Sequence, residues 1–497
     1  MSDLYLQYTK LRSTIADIEN ILAVLGWDHE VCMPKEGAFF RAQQISTLSG
    51  MSHEMSTSKE YIDVVEKLMA EPGLDFKQKK NIEESYKKLV KARKLNKKFI
   101  EKESKTYSEA YQDWIKARQE DKFSIFAPKL KEVVDIQKEK AELLGYKVHP
   151  YDALLDDYEP DLTTDHVEKV FKDVKINLSA FFDKIKGQPQ PDQSFLNNHF
   201  DKTKQMALCR ELITDLGYDW NSGRLDLSEH PFSTSFNPND ARITTRVNAE
   251  DLTESIWGSI HETGHAFYEM GLPSSEYGLP SGAYISLGMH ESQSRLWENN
   301  VGKSANYIKT YWPLFQQYFP EAFGKTSDME FFRGLNTVTP NLIRINSDEV
   351  TYHFHILLRF EIEKGIIEGS YEVKDLEEIW NSKIKEYLGL DVPSAKMGVL
   401  QDIHWSHGSF GYFPTYSLGS FYSAQFYHFA NQAIPDLDQN ISQKKFKPLL
   451  SWLRDNIHQY GHQFSSEELC TNVTGEGLNF KYFNNYLDKK YALVYQL

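Results

Sequence analysis

Cysteine is scarce in this chain: Cys32, Cys209 and Cys470 are the only three among 497 residues. The count is odd, the spacings are wide and no C-x-x-C pair occurs. This argues against a disulfide framework and for a reducing compartment. Long apolar runs are missing too. No stretch of ~18 apolar residues occurs that would cross a membrane. Met1-Ser2-Asp3-Leu4 does not open a basic segment followed by an apolar one, as a secretory leader would. The expectation is a soluble, cytoplasmic protein with no membrane partner. Positive charge is in deficit, with a formal net charge of −15. That disfavours nucleic acid as a partner, because phosphate binding needs a basic surface. It does not constrain a small substrate, since local charge can oppose the global balance. Internal repeats and low-complexity tracts are absent.

What is present reads as globular. Hydrophobic residues make up 40%, charged 26% and aromatic 13%, which gives no support to disorder. The length suits about three domains at ~150 residues each, or one large helical enzyme with two lobes. Residues 4 to about 145 read as several long helices; Leu11, Ile15, Ile18, Ile21 and Leu22 recur at helical spacing. The Lys- and Glu-rich run from Asp75 to Arg118 reads as one long solvated amphipathic helix. Asp165 followed by Glu168 resembles a capping arrangement for a helix to about Ile185. Gly187 to Asn198, with Pro189 and Pro191, is linker-like. It marks the expected boundary between an N-terminal helical lobe, residues 1–190, and a second lobe, residues 191–497. Leu225 to Val247 is the best strand candidate, a hairpin turning at Asn237-Pro238-Asn239-Asp240. An edge strand there can align an extended peptide by its backbone. A helix from about Ala283 to Asn299 and a long one from about Asn341 to Glu368 follow. The rings between Gly398 and Phe429 read mostly as core packing.

The chemistry centres on His261-Glu262-Thr263-Gly264-His265. Two imidazoles four residues apart stand on one helical face, and the Glu after the first reaches a metal-bound water. Zinc needs a third protein ligand and an open position. Glu291 is favoured, with His290 as the alternative. Zinc lowers the pKa of its water toward ~7 and polarises the scissile carbonyl. Glu262 would take the water proton and pass it to the leaving amine. His404 and Tyr416 are candidates to donate to the oxyanion, with Tyr412 next.

The sequence also resembles the carboxypeptidase Taq family, the thermostable-type zinc metallocarboxypeptidases, over nearly its whole length. The motifs that carry the likeness are His230-Pro231-Phe232, Asp240-Ala241-Arg242-Ile243-Thr244, the His261–His265 pattern and His290-Glu291-Ser292-Gln293. Ile343-Arg344-Ile345-Asn346-Ser347-Asp348 and Gly398-Val399-Leu400-Gln401-Asp402-Ile403-His404-Trp405 complete the series. Trp27-Asp28, Met33-Pro34 and Tyr151 through Pro160 also look like the family. Ser347 stands where the family has Ala, and Asp161 where it usually has Gly; neither change touches a catalytic group. The resemblance implies His261, His265 and Glu291 as metal ligands and Glu262 as the base. It implies a mainly α-helical, two-lobed molecule with a deep groove and a small hairpin or sheet beside the zinc helix, usually a homodimer. It implies one Zn²⁺ per chain, with Co²⁺ possible. Single C-terminal residues would be released with broad specificity, commonly excluding Pro; an oligopeptidase cutting internal bonds is the alternative.

A carboxypeptidase needs a cation for the substrate's free carboxylate. Arg344 suits it, because a guanidinium forks onto a carboxylate with two hydrogen bonds. The competing reading is an intrahelical ion pair with Asp348, four residues on. Asp348 or Asp402 would orient a zinc-bound imidazole. His230 and Phe232 would line the groove, with Arg242 and Thr244 on the hairpin strand beside the peptide.

Overall fold

Caps written into the sequence set the first helices of the computed structural model, which describes residues 2–497. Helix α1 (Asp3–Val31) starts where the Ser2 side chain accepts from the Tyr5 N–H. After α2 (Ala38–Ser56), Ser58 caps α3 (Lys59–Met69) in the same way. Asp75 and Gln78 form a reciprocal capping box for α4 (Phe76–Lys94). The single helix expected from Asp75 to Arg118 is two helices. Leu95 leaves helical geometry at φ −97°, ψ 92°, and Asn96 caps α5 (Lys97–Glu120) by accepting from the Phe99 N–H. Asn is a strong N-cap, and one cap within a charged run breaks a helix that composition alone leaves continuous. Next come α6 (Phe123–Leu144) and α7 (Thr164–Ile185). The cap of α7 is Thr163, which accepts from the His166 N–H; Asp165 only adds favourable charge to the first turn.

The hydrophobic core parts at another place than the linker-like stretch. Tyr8, Val65, Leu68, Ile82 and Leu279 belong to a small core among α1, α3 and α4. From α5 onward one large core runs to the C-terminus. Gly187–Asn198 lies within the reach of that larger core, and Phe195 is buried there with its ring against Phe323 and Phe331.

The hairpin has a third strand. The sheet comprises β1 (Leu225–Leu227), β2 (Ser233–Asn237) and β3 (Asp240–Thr245), in the order β1-β3-β2. β1 runs parallel to β3, and β2 antiparallel to it. β3 therefore lies in the centre, and β2 is the hairpin's edge. Asp251, accepting from the Thr253 N–H, starts α8 (Leu252–Gly271), which packs on this sheet. Ser286 caps α9 (Leu287–Arg295), which runs on into a π-helical stretch, Leu296–Gly302.

The helix expected from Asn341 begins only at Tyr352, as α10 (Tyr352–Glu368). Before it the chain makes a short 3₁₀ turn at Arg344–Asn346. The Asp348 carboxylate then accepts from the Val350 and Thr351 N–H groups and the Thr351 hydroxyl. A side chain that satisfies backbone donors in this way favours a turn over helix interior. Helices α11 (Pro414–Ala433) and α12 (Lys481–Tyr495) complete the wall behind α9 and α10. Among the described residues no helix is long and apolar enough to cross a membrane.

Candidate active site

His261 and His265 stand one turn apart on α8, with ring centroids 4.9 Å apart. Gly264 between them lets α9 come close: a Cβ there would lie 2.6 Å from the Gln293 carbonyl oxygen and the Ser294 Cα. On the far side, a Cβ at Gly419 of α11 would lie 2.6 Å from Cβ and Cγ of Glu291. α9 is thus pressed between two glycine contacts, which brings Glu291 to the histidines. One ligand atom from each of His261, His265 and Glu291 lies within 4.8 Å of the others. Glu291 Oε2 is 3.6 Å from His261 Nε2 and 3.5 Å from His265 Nε2.

The remaining ring nitrogens face protein partners. His261 Nδ1 is 2.9 Å from Glu298 Oε2. Glu298 also accepts from Arg295 at 3.2 Å and Lys303 at 2.7 Å. His265 Nδ1 meets Nδ1 of His290, whose Nε2 is 2.9 Å from Glu269 Oε1. Both nitrogens of His290 are therefore engaged away from the cluster, and His290 supports His265 rather than replacing Glu291. The expectation that Asp348 or Asp402 orients an imidazole is corrected: Glu298 and the His290–Glu269 pair do so. Asp348 is occupied by the α10 start and Asp402 by two arginines.

The donors fit a divalent cation. With Nδ1 of each histidine committed elsewhere, both Nε2 atoms converge with a carboxylate oxygen, a His₂Glu set that leaves a position open. Burial would raise the Glu291 carboxyl, but Arg295, 2.7 Å away, and His261 hold it well below the usual range. Burial keeps the His265 imidazole neutral, its pKa near 3, against the pull of Glu291. Burial would lower His261 as well, yet Glu291 and Glu298 raise it above its ordinary value. The same two carboxylates favour a cation in place of that proton. Glu262 is 7% exposed, and its carboxylate makes no hydrogen bond to another described residue. Burial pushes its carboxyl up to about 7, and His261 pulls against that.

A second charged cluster lies beyond the rings of Tyr352 and Tyr416. Arg344 Nε and Nη2 donate to Asp402 Oδ1 at 3.1 and 2.9 Å, and Nη1 donates to the Tyr352 hydroxyl at 3.1 Å. Arg359 Nε donates to the other Asp402 oxygen at 2.8 Å. The competing reading of an Arg344–Asp348 pair is corrected, because the turn at Arg344–Asn346 removes the i,i+4 geometry. Two guanidinium groups on one carboxylate leave this cluster with one net positive charge. Burial and the two arginines hold His404 low, at about 4, although Asp402 raises it. Its Nδ1 is buried without a hydrogen-bond partner, 4.0 Å from Asp402. The Tyr412 ring lies 5.2 Å from each of His404, Tyr416 and Tyr158.

The hairpin residues divide. His230 is exposed, and Pro231 packs at Gly258, one turn before His261. Phe232 is half-buried, and its N–H donates to the Thr244 hydroxyl at 2.9 Å. Thr244 is fully buried on the central strand and ties the sheet together. Arg242 is held by Asp240 at 2.8 Å and lies over the rings of Trp27 and Phe236. β3, flanked by β1 and β2, has no edge left for an extended peptide.

The model of the carboxypeptidase Taq (M32) metallopeptidase family matches residues 7–491. The chain belongs to that family. It is 36% identical to thermostable carboxypeptidase 1 of Thermus thermophilus, across 99% of both chains. It is 35% identical to carboxypeptidase 1 of Bacillus subtilis, across 99% of this chain and 98% of that one. The crystal structure of an M32 carboxypeptidase from Deinococcus radiodurans R1 superposes with a TM-score of 0.97 at 34% identity, covering all of both chains. This M32 chain is therefore a metallocarboxypeptidase, and the oligopeptidase alternative finds no support. Its mainly helical fold with a small sheet is that of the family's solved structures.

Sequence reasoning missed Glu298, Glu269, Arg295, Tyr352 and Tyr158 in this M32 site. Arg295 had a usable signal, four residues after Glu291 on one helix face. Glu298, three further on, continues that face. Glu269 lies one turn beyond His265, where it reads as an ordinary surface acid.

Proposed function

We propose that this M32 enzyme releases single amino acids, with broad specificity, from the free C-terminus of peptides, using one Zn²⁺ per chain, with Co²⁺ able to replace it. The observation that carries the reading is Glu262: a buried carboxylate with no hydrogen-bond partner, directly beside three converging metal-ligand atoms. A bound divalent cation supplies Lewis acidity for the water and the scissile carbonyl. The chain does the rest. Glu262 takes a proton from the attacking water and returns it to the leaving amine. His404, Tyr416 and Tyr412, whose rings lie side by side, stabilise the oxyanion. The single positive charge of Arg344 and Arg359 on Asp402 draws the terminal carboxylate. Arg344 reaches it with the second N–H of Nη1 and of Nη2, which its three bonds to Asp402 and Tyr352 leave over. His230 and Phe232 flank the peptide, while Arg242 and Thr244 hold the strand that supports them. The working form is a cytoplasmic homodimer; the scarce, unpaired cysteines and the family resemblance support this, and light scattering of the pure protein tests the dimer.

The test is mass spectrometry of a peptide offered as the free acid and as its amide. Sequential one-residue trimming of the free acid alone is expected. Equal internal cleavage of both overturns the reading. Metal analysis of the same sample should return about one ion per chain, and chelation should abolish trimming.

A further inference from the structure

Glu363 takes no part in the chemistry above, yet it is fully buried on α10. Three donors converge on its carboxylate. The Tyr151 hydroxyl at 2.6 Å and the Gly411 N–H at 2.9 Å meet Oε2, and the Trp405 indole N–H at 2.8 Å meets Oε1. Trp405 directly follows His404, and Gly411 directly precedes Tyr412. The carboxylate therefore holds both ends of the segment that joins two groups of the groove. Gly411 is in the left-handed region at φ 93°, and a Cβ there would lie 2.6 Å from the Leu154 carbonyl oxygen. The segment is thus pressed against the turn next to Tyr151, the third residue that Glu363 binds.

A side chain kept only to fill space here would be apolar, because a buried carboxylate without its own cation is costly. No salt bridge compensates Glu363 among the described residues. Nor would an amide do. Whichever way Gln turned, its NH₂ would face the indole N–H or the Gly411 N–H, and neither of those can accept.

We propose that Glu363 is a positioning residue that places His404 and Tyr412 at the groove by holding the Trp405 indole and the Gly411 amide. This rests on the reading of His404 and Tyr412 as groups that meet the substrate.

The test uses the full-length, metal-loaded protein and the variants Glu363→Gln, Trp405→Phe, His404→Ala, Tyr412→Phe and the double variant Glu363→Gln/His404→Ala. Metal content, melting temperature, kcat and KM on a short peptide are measured for each. Glu363→Gln should keep its metal and lose about 10–100-fold in kcat, the effect of a small misplacement of reacting groups. Trp405→Phe should lose less, in the same direction. The double variant should lose less than the product of the two single losses, since His404→Ala already removes one of the two groups that Glu363 places. Full kcat in a folded Glu363→Gln, or losses that multiply with His404→Ala, overturns the positioning role. Full activity in both His404→Ala and Tyr412→Phe overturns instead the reading on which it rests. If Glu363→Gln does not fold, Trp405→Phe removes one of the three donors, keeps an aromatic ring and carries the same test.

Discussion

Glu298→Gln should weaken metal binding by about 10–100-fold, or about 1.4–2.7 kcal/mol, without unfolding the protein. Glu298 Oε2 accepts from His261 Nδ1 at 2.9 Å, while Arg295 at 3.2 Å and Lys303 at 2.7 Å flank it. A bare Coulomb term, one unit charge and a divalent ion ~7 Å apart at an effective dielectric of ~20, is about 5 kcal/mol. Arg295 and Lys303 already offset much of that charge. The loss is therefore set mainly by the weaker orientation and lower basicity of the imidazole. The assay is competition for Zn²⁺ against a chromophoric chelator at neutral pH, with circular dichroism to show the fold. Asp402→Asn is the control. It should leave metal affinity within about twofold, because its side chain contacts no ligand. It should still cost about 3–5 kcal/mol in stability, since Arg344 and Arg359 lose their shared partner. An unchanged Zn²⁺ affinity in Glu298→Gln, or an equal loss in Asp402→Asn, refutes the assignment.

Three further outcomes are expected. Glu262→Gln should retain its metal and lose about 10²–10⁴-fold in peptide hydrolysis; wild-type turnover at full metal content would remove Glu262 as the base. Gly264→Ala inserts a methyl 2.6 Å from the Gln293 carbonyl, so it should cost about 1–3 kcal/mol and weaken the metal site by moving Glu291. A melting temperature and metal affinity equal to wild type would show that α8 and α9 do not need this approach. His353, His355 and His458 are buried, and burial lowers each to about 3. Between that value and the ordinary 6.5 the unfolded chain binds more protons than the folded one, so stability rises with pH. It should fall by up to about 4 kcal/mol per unit as pH drops from 6.5 toward 4, read as the urea midpoint against pH. A flat profile would mean that these imidazoles become charged within the folded protein.

The pattern His261–His265 was legible because its meaning is local: one helix, one turn, two imidazoles. Glu291 was reachable by the same logic, as a helical acid one loop and one return helix away. Glu298 was not, because nothing in its neighbours distinguishes it from a solvent-facing acid. Only the packing of the π-helical stretch after α9 on α8 turns it toward His261. Arg344 shows the limit from the other side. Its sequence neighbour Asp348 offered a plausible partner, and the true one, Asp402, comes from a distant loop. A short turn of backbone decided between them, and helix starts are where pattern reasoning is weakest. Strand order was out of reach of the sequence for a related reason. The hairpin is a local signal, but β1 pairs parallel to β3 across the sheet, and so makes β3 central.

Charge explains why these residues belong together. Around the two imidazoles stand four carboxylates, Glu262, Glu269, Glu291 and Glu298, against two cations, Arg295 and Lys303. With every carboxylate ionised, the cluster carries a net charge of −2, which a divalent ion neutralises. In the metal-free chain burial raises Glu262 to about 7, and Glu291 and Glu298 raise His261 above its ordinary value against its own burial. Adding two positive charges reverses both effects, since a nearby cation favours carboxylate over acid and deprotonated over protonated imidazole. Metal binding therefore releases protons, and it leaves Glu262 ionised, the state the proposed mechanism requires of it. The buried charge that would otherwise destabilise this corner of the fold is what couples loading of the metal to readiness of the base.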